Sequence, residues 1–365
     1  MTTPDLATAF AANYREARAK FLAAARGAGA RITSHVHPQH RGAEGEELAA
    51  DIAFLGNDDA DAVLCILAGT HGVEGFCGSG IQVGLLGDPA FHAARARAKV
   101  AVLLYHAVNP YGFSHLQRTD EGNVDLNRNF RDFTRPPPRN DAYAGVHDFI
   151  VPATWPPAPE NEARLQDYAL RHGVAALQAA ITGGQCDQPQ GLFFGGTKPA
   201  WGNVTLRAAM QAQATRARLG WLDIHTGLGP WGHAEKILSG TDDAAHLARA
   251  RAWWGNDVTS IYDGSSASAL ITGGNFMAPL EECPHTQYTG VALEYGTLPL
   301  TDMIMALRGD AWLQQHPDAP GATRDAIKQR MRTAFYGDTD EWRGQVYGQA
   351  RAAAFQALRG LAPSA

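Results

Sequence analysis

Cysteine is scarce and scattered. Cys65, Cys77, Cys186 and Cys283 form no C-x-x-C pair, which argues against a disulfide scaffold and against a thiolate-bound zinc. Basic charge is not in excess either: with a formal net charge of -6 over 365 residues there is no positive field of the kind that nucleic acid or an anionic membrane would require. Neither is expected as a partner. Long apolar runs are missing too, since no window approaches the ~18 consecutive apolar residues of a membrane span. Met1 to Leu6 carry no basic or apolar leader, so a cytoplasmic enzyme is the default expectation. A Walker P-loop and a G-x-S-x-G elbow are absent, because Gly264-Ser-Ser-Ala-Ser268 lacks the closing glycine. Gly227-Leu-Gly229-Pro-Trp-Gly232 satisfies G-x-G-x-x-G, but Pro230 and Trp231 stand where the phosphate-cradling turn would enter its helix. No acidic residue closes a second strand about twenty residues on, so nucleotide binding is not expected.

Hydrophobic residues at 45% and charged ones at 19% are those of a soluble globular protein. Leu6, Phe10, Tyr14, Ala17 and Phe21 give the stripe of an N-terminal amphipathic helix. The segment 30–56 holds His35, His37 and His40, with no acidic or cysteine partner adjacent to make a metal site of them. Ala62 to Ala68 and Lys99 to His106 read as strands buried on both faces, with a helix beginning near Gly80 between them, which is a βαβ unit. Leu219 to His225 and Val291 to Glu294 read as two more buried strands, with a helix over Thr205 to Arg218 before the first. Three of these strands run into a turn that carries a glycine (Gly69, Gly227 and Gly296), and ligands bind at strand carboxyl ends in open α/β sheets. The expected fold is one α/β domain over 1–365, a mixed and mostly parallel twisted sheet flanked by helices, with a loop-rich insertion around 131–160. Helical pattern resumes near Glu160 to Ala180, and the chain after Asp302 reads as mainly helical.

The first strand runs into Ala68-Gly-Thr-His71-Gly-Val-Glu74-Gly75. His-x-x-Glu puts an imidazole and a carboxylate within reach of one point, the first half of a catalytic zinc site. His225, ending its strand in Asp-x-His, supplies the candidate third ligand, and the His₂Glu set leaves a fourth position open. Alternation places Asp223 on the same side, where it could orient the site. Glu294, a lone carboxylate at the end of an apolar strand, is the candidate base. Arg118 and Arg128 offer cationic forks suited to a carbonyl oxygen and to a substrate carboxylate respectively.

In that order, His71-x-x-Glu74, Arg118, Asp125-Leu-Asn127-Arg128-Asn129-Phe130, Asp223-Ile-His225-Thr-Gly and Glu294-Tyr-Gly-Thr resemble the M14 zinc carboxypeptidase superfamily. The likeness is to its DUF2817 branch, near the succinylglutamate desuccinylase and aspartoacylase group. It extends to the Tyr14 to Ala25 helix, to His106-Ala-Val-Asn-Pro-Tyr-Gly-Phe and to Gly191-Leu-Phe-Phe-Gly-Gly. The resemblance implies the carboxypeptidase-like (phosphorylase/hydrolase-like) fold and one zinc per chain held by His71, Glu74 and His225, with Glu294 as general base and acid. It implies Arg118 on the oxyanion, Asn127 and Arg128 on a substrate carboxylate, and Asp125 on the first histidine, ahead of Asp223 for that role. The resemblance does not place the substrate-side tyrosine; Tyr288 and Tyr262 are the candidates. The substrate would be a peptide or small molecule with a free carboxylate, cleaved by a carboxypeptidase or by an amidohydrolase of N-acyl amino acids. A non-catalytic zinc or ligand-binding protein on the same fold is the reading of another class. Oligomeric state is open.

Overall fold

Eight strands form one mixed sheet: β1 (Arg31–Arg41), β2 (Glu47–Leu55), β3 (Ala62–Ala68), β4 (Ala101–His106), β5 (Arg218–Trp231), β6 (Ala234–Leu238), β7 (Val258–Thr259) and β8 (Gln287–Gly296). Their order across the sheet is β1-β2-β4-β3-β5-β8-β6-β7. The computed structural model describes residues 6–363. Met1 to Asp5, on which most of the expectation of no leader rests, lie outside the described residues.

β4, β3, β5 and β8 are parallel and central, while β2 and β6 run antiparallel on either side of them. β3 and β4 are buried throughout, as their unbroken apolar sequences require of strands covered on both faces. One face, carrying Leu64, Ile66, Leu222 and Leu293, packs on the helices Tyr14–Gly27, Gly75–Leu86 and Asp340–Leu361. The other, carrying Val63, Cys65 and Trp221, packs on Trp201–Gln211. After β3 the chain pairs to one side with β4 and later returns on the other side as β5. That reversal opens a crevice at the carboxyl ends of β3 and β5.

The fold is α/β, as the sequence indicates, with several local differences. The N-terminal stripe is two helices, Leu6–Ala9 and Tyr14–Gly27, because Asn13 accepts from Glu16 N and starts the second. Segment 30–56 is the β1–β2 hairpin, whose outer strand is largely exposed and polar and so lacks an apolar run. The helix expected over Thr205 to Arg218 runs Trp201–Gln211, and Arg218 opens β5. The stretch 131–160 is not wholly loop: Asn140 caps a helix, Asp141–Ile150, that buries Tyr143, Val146, Phe149 and Ile150. The Gly227 to Gly232 motif lies mostly within β5, with no helix N-terminus following it to receive a phosphate. Among the described residues no helix is long and apolar enough to cross a membrane.

Candidate metal centre

β3 ends at Ala68, and Gly69 turns the chain with φ +67°, which a side chain would resist. Gly72 is needed for a different reason: a Cβ there would lie 2.0 Å from the main chain of Gly112. His71 is extended and caps a 3₁₀ turn, Gly72–Glu74. In such a turn residues three apart eclipse each other, which aims His71 and Glu74 the same way. The turn's first N–H groups donate to Arg118 O (3.1 Å) and Gln117 O (3.0 Å), so satisfying them also brings Arg118 alongside.

His225 enters from β5. Its Nδ1 lies 3.2 Å from His71 Nδ1 and 3.2 Å from Glu74 Oε2, while His71 Nδ1 lies 2.9 Å from Glu74 Oε1. All three residues are buried. The outer nitrogens face carboxylates, His71 Nε2 at 3.2 Å from Asp125 Oδ1 and His225 Nε2 at 2.5 Å from Asp223 Oδ2. A carboxylate on one ring nitrogen favours the tautomer that leaves the other free to bind a cation. The two aspartates thus divide the work, one per histidine, and Asp223 serves His225 rather than His71.

Electrostatics point the same way. Burial works against charge on His225, yet Asp223 and Glu74 raise its pKa well above the ordinary imidazole value. Burial likewise opposes ionisation of Glu74, but His71 and His225 bring it well below the carboxylate range. For Asp125, Arg118 and then His71 outweigh burial and hold the carboxyl well down. The carboxylates call for positive charge where the two Nδ1 atoms meet. Two imidazoles and one carboxylate converging on one point fit a zinc ion with an open fourth position.

Glu294 sits beside this set because β8 pairs with β5 so that His225 and Glu294 are direct partners. Its Oε1 accepts from Leu228 N at 3.0 Å. Desolvation, then repulsion from Glu74, pushes its carboxyl up to about 7. Arg118 donates from Nε to Asp125 Oδ2 (2.9 Å), reaches Glu74 Oε1 at 3.4 Å and approaches His71 Nε2 at 2.7 Å, where Asp125 also converges.

Asn127 and Arg128 share a short turn capped by Asp125 and line the same cavity of about 130 Å³. Asn127 Oδ1 accepts from Asn275 N. Arg128 donates to the main-chain oxygens of Asn127 (2.9 Å) and Thr182, and each Nη keeps a second N–H. Burial chiefly lowers its pKa, to about 10.

Neither candidate tyrosine reaches the site. Tyr288 is the second residue of β8, six residues or roughly 20 Å along the strand from Glu294. It is buried and its hydroxyl donates to Ser239 O. Tyr262 donates to Gly240 O, and no tyrosine is among the cavity's lining residues. His37 Nε2 lies 3.3 Å from Glu121 Oε1, away from this set.

Other residues of the site were given no role from the sequence: Thr70, Thr226 and Phe193 lie within the motifs quoted above, and Asn275 lies outside them. Asn275 donates to Asp223 Oδ2 (2.7 Å) and to Thr70 Oγ1 (2.9 Å), and Thr70 donates to Asp223 Oδ1 (3.1 Å). Thr226 N donates to Glu74 Oε2 at 3.0 Å. The ring of Phe193 lies against both arginines. Thr70 stands next to His71 in the chain, but Asn275 and Phe193 arrive from distant loops.

Solved structures similar to this chain include carboxypeptidase A from Helicoverpa armigera, 15% identical, covering 94% of this chain and 73% of that one, with a TM-score of 0.41. Bovine thrombin-activatable fibrinolysis inhibitor, in complex with tick carboxypeptidase inhibitor, is 10% identical, covering 89% and 96%, at 0.43. A metallo-carboxypeptidase from Pseudomonas aeruginosa in complex with (2-guanidinoethylmercapto)succinic acid is 16% identical, covering 88% and 67%, at 0.36. No curated protein matches the chain in sequence. Residues 10–349 match the family described as DUF2817, protein of unknown function, and the chain belongs to that family.

Proposed function

We propose that this protein is a zinc-dependent hydrolase that cleaves an amide bond next to a free carboxylate, as a carboxypeptidase does. The observation that carries the reading is the meeting of His71 Nδ1, Glu74 and His225 Nδ1 at one buried point, with Glu294 paired in register beside it. A binding protein needs the ligands, but it needs no further carboxylate next to them.

Zinc held by these three residues supplies Lewis acidity toward a carbonyl oxygen and acidifies water. The chain's own groups do the rest. Glu294, beside the ligands on the neighbouring strand, accepts a proton from the attacking water and returns it to the leaving nitrogen. Arg118, beside Glu74 and His71, places positive charge where the carbonyl oxygen gains negative charge. Asn127 and the spare Nη protons of Arg128 grip the substrate carboxylate and so orient the bond to be cut. Leu228 N, donating to Glu294 Oε1, fixes which oxygen faces the water.

A hydrolysis screen of zinc-loaded protein against short peptides and N-acyl amino acids tests the reading. Release of a free carboxyl-terminal amino acid is expected, and the better class separates a peptidase from a deacylase. No turnover of any member, with one zinc bound per chain, sinks it.

A further inference from the structure

Phe193 is built into the cavity wall at a conformational cost. Its φ of +54° is in the left-handed region, which a bulky side chain disfavours. Hydrogen bonds on both sides hold it there. Gln185 N donates to Phe193 O (3.1 Å), Leu192 N to the Tyr143 hydroxyl (2.7 Å), and Asp125 N to Phe194 O (2.8 Å). The last bond ties the segment to the carboxylate that faces His71.

The ring is buried and lies against two guanidinium groups, with Arg118 Cζ 4.8 Å and Arg128 Cζ 5.5 Å from its centroid. Two like charges this close in a buried wall repel each other, and an aromatic face attracts both. Arg128 has main-chain carbonyls on Nη1 and Nη2 and no partner on its buried Nε, so the ring face is a further constraint on its plane.

We infer that Phe193 is a positioning residue whose ring holds the Arg118 and Arg128 guanidinium groups side by side, toward the substrate's carbonyl and carboxylate. This rests on the hydrolase reading above.

The test replaces Phe193 with 4-fluoro-, 3,5-difluoro- and 3,4,5-trifluorophenylalanine, which weaken the ring face stepwise at nearly constant shape. The substrate is an N-acyl dipeptide ending in leucine, compared with its carboxyl-terminal amide. Expected is a stepwise fall in kcat/KM reaching about tenfold, with the preference for acid over amide narrowing in parallel. Phe193→Leu falls at least as far and Phe193→Tyr stays near wild type. A flat fluorine series together with Phe193→Leu within twofold of wild type overturns the inference. If the wild type cleaves neither, the series is run on the best member of the hydrolysis screen and its carboxyl-terminal amide, and if it cleaves no member of that screen the hydrolase reading falls instead. The inference is then read by calorimetry with free L-leucine, whose affinity is expected to drop along the same series, and an unchanged affinity overturns it.

Discussion

His225 Nδ1 lies 3.2 Å from His71 Nδ1, while the outer nitrogen of each ring faces its own aspartate. Two imidazole nitrogens and the Glu74 carboxylate meeting at one buried point form a donor set for a cation. Protein prepared without chelator is therefore expected to hold about one zinc per chain, and chelation to lower its Tm. Asp223→Asn and Asp125→Asn should each weaken zinc binding by roughly 10–100-fold. Metal analysis with competitive titration checks both, and wild-type affinity in the two variants would refute the tautomer argument.

Glu294→Gln keeps the shape and the hydrogen bond from Leu228 N but cannot take a proton. It should retain the metal and lose kcat by about 10²–10⁴-fold. Near-normal turnover at full zinc occupancy would remove Glu294 from the chemistry.

Arg128→Lys preserves charge but not the fork. Because the guanidinium is held between two main-chain carbonyls and a ring, a lysine ammonium cannot present the same pair of donors. KM for carboxylate-bearing substrates should rise about tenfold, whereas carboxyl-terminal amides should change little. Steady-state kinetics on matched acid and amide substrates decides it, and an equal loss on both refutes a carboxylate grip.

Tyr288→Phe should leave kcat/KM within twofold of wild type. It removes a buried hydroxyl that donates to Ser239 O at 2.8 Å, so the expected loss is stability, about 1 kcal/mol by denaturant titration. A large catalytic defect with unaltered stability would return this tyrosine to the site.

Asp120 is buried, and desolvation followed by repulsion from Glu121 pushes its carboxyl from 3.8 to about 7. The folded chain then keeps this proton over a window in which the unfolded chain has lost it. Its contribution to stability is full below about pH 4 and is lost as pH rises through about 7. Asp120→Asn can still accept from Gly122 N and Val124 N and does not ionise. Relative to wild type, the variant should gain on the order of 1–3 kcal/mol between pH 4 and pH 8. Denaturation curves at both pH values measure this, and a pH-independent difference contradicts it.

Much of the architecture is legible locally. The apolar runs at Ala62 to Ala68 and near His106 are strands because nothing in them tolerates water on either face. Segment 30–56 was harder, since an edge strand with one polar face has no run to read. The helix Asp141–Ile150 hid between proline-rich flanks, although its Asn140 cap and the spacing of Tyr143, Val146 and Phe149 are ordinary helix signals.

By itself the sequence determined the α/β class, the strand ends that carry histidine and glutamate, and the pool of residues able to hold a cation. These follow from short-range spacing: a 3₁₀ turn aligns residues three apart, and a strand aligns residues two apart. Tertiary structure alone decided which aspartate serves which histidine, that Asn275 supports Asp223, that Tyr288 stands at the far end of its strand, and that Phe193 lies against two arginines. Each of these relations joins segments that are far apart in the chain or depends on where along the sheet a residue falls. Strand order and register set those distances, and no local pattern encodes them.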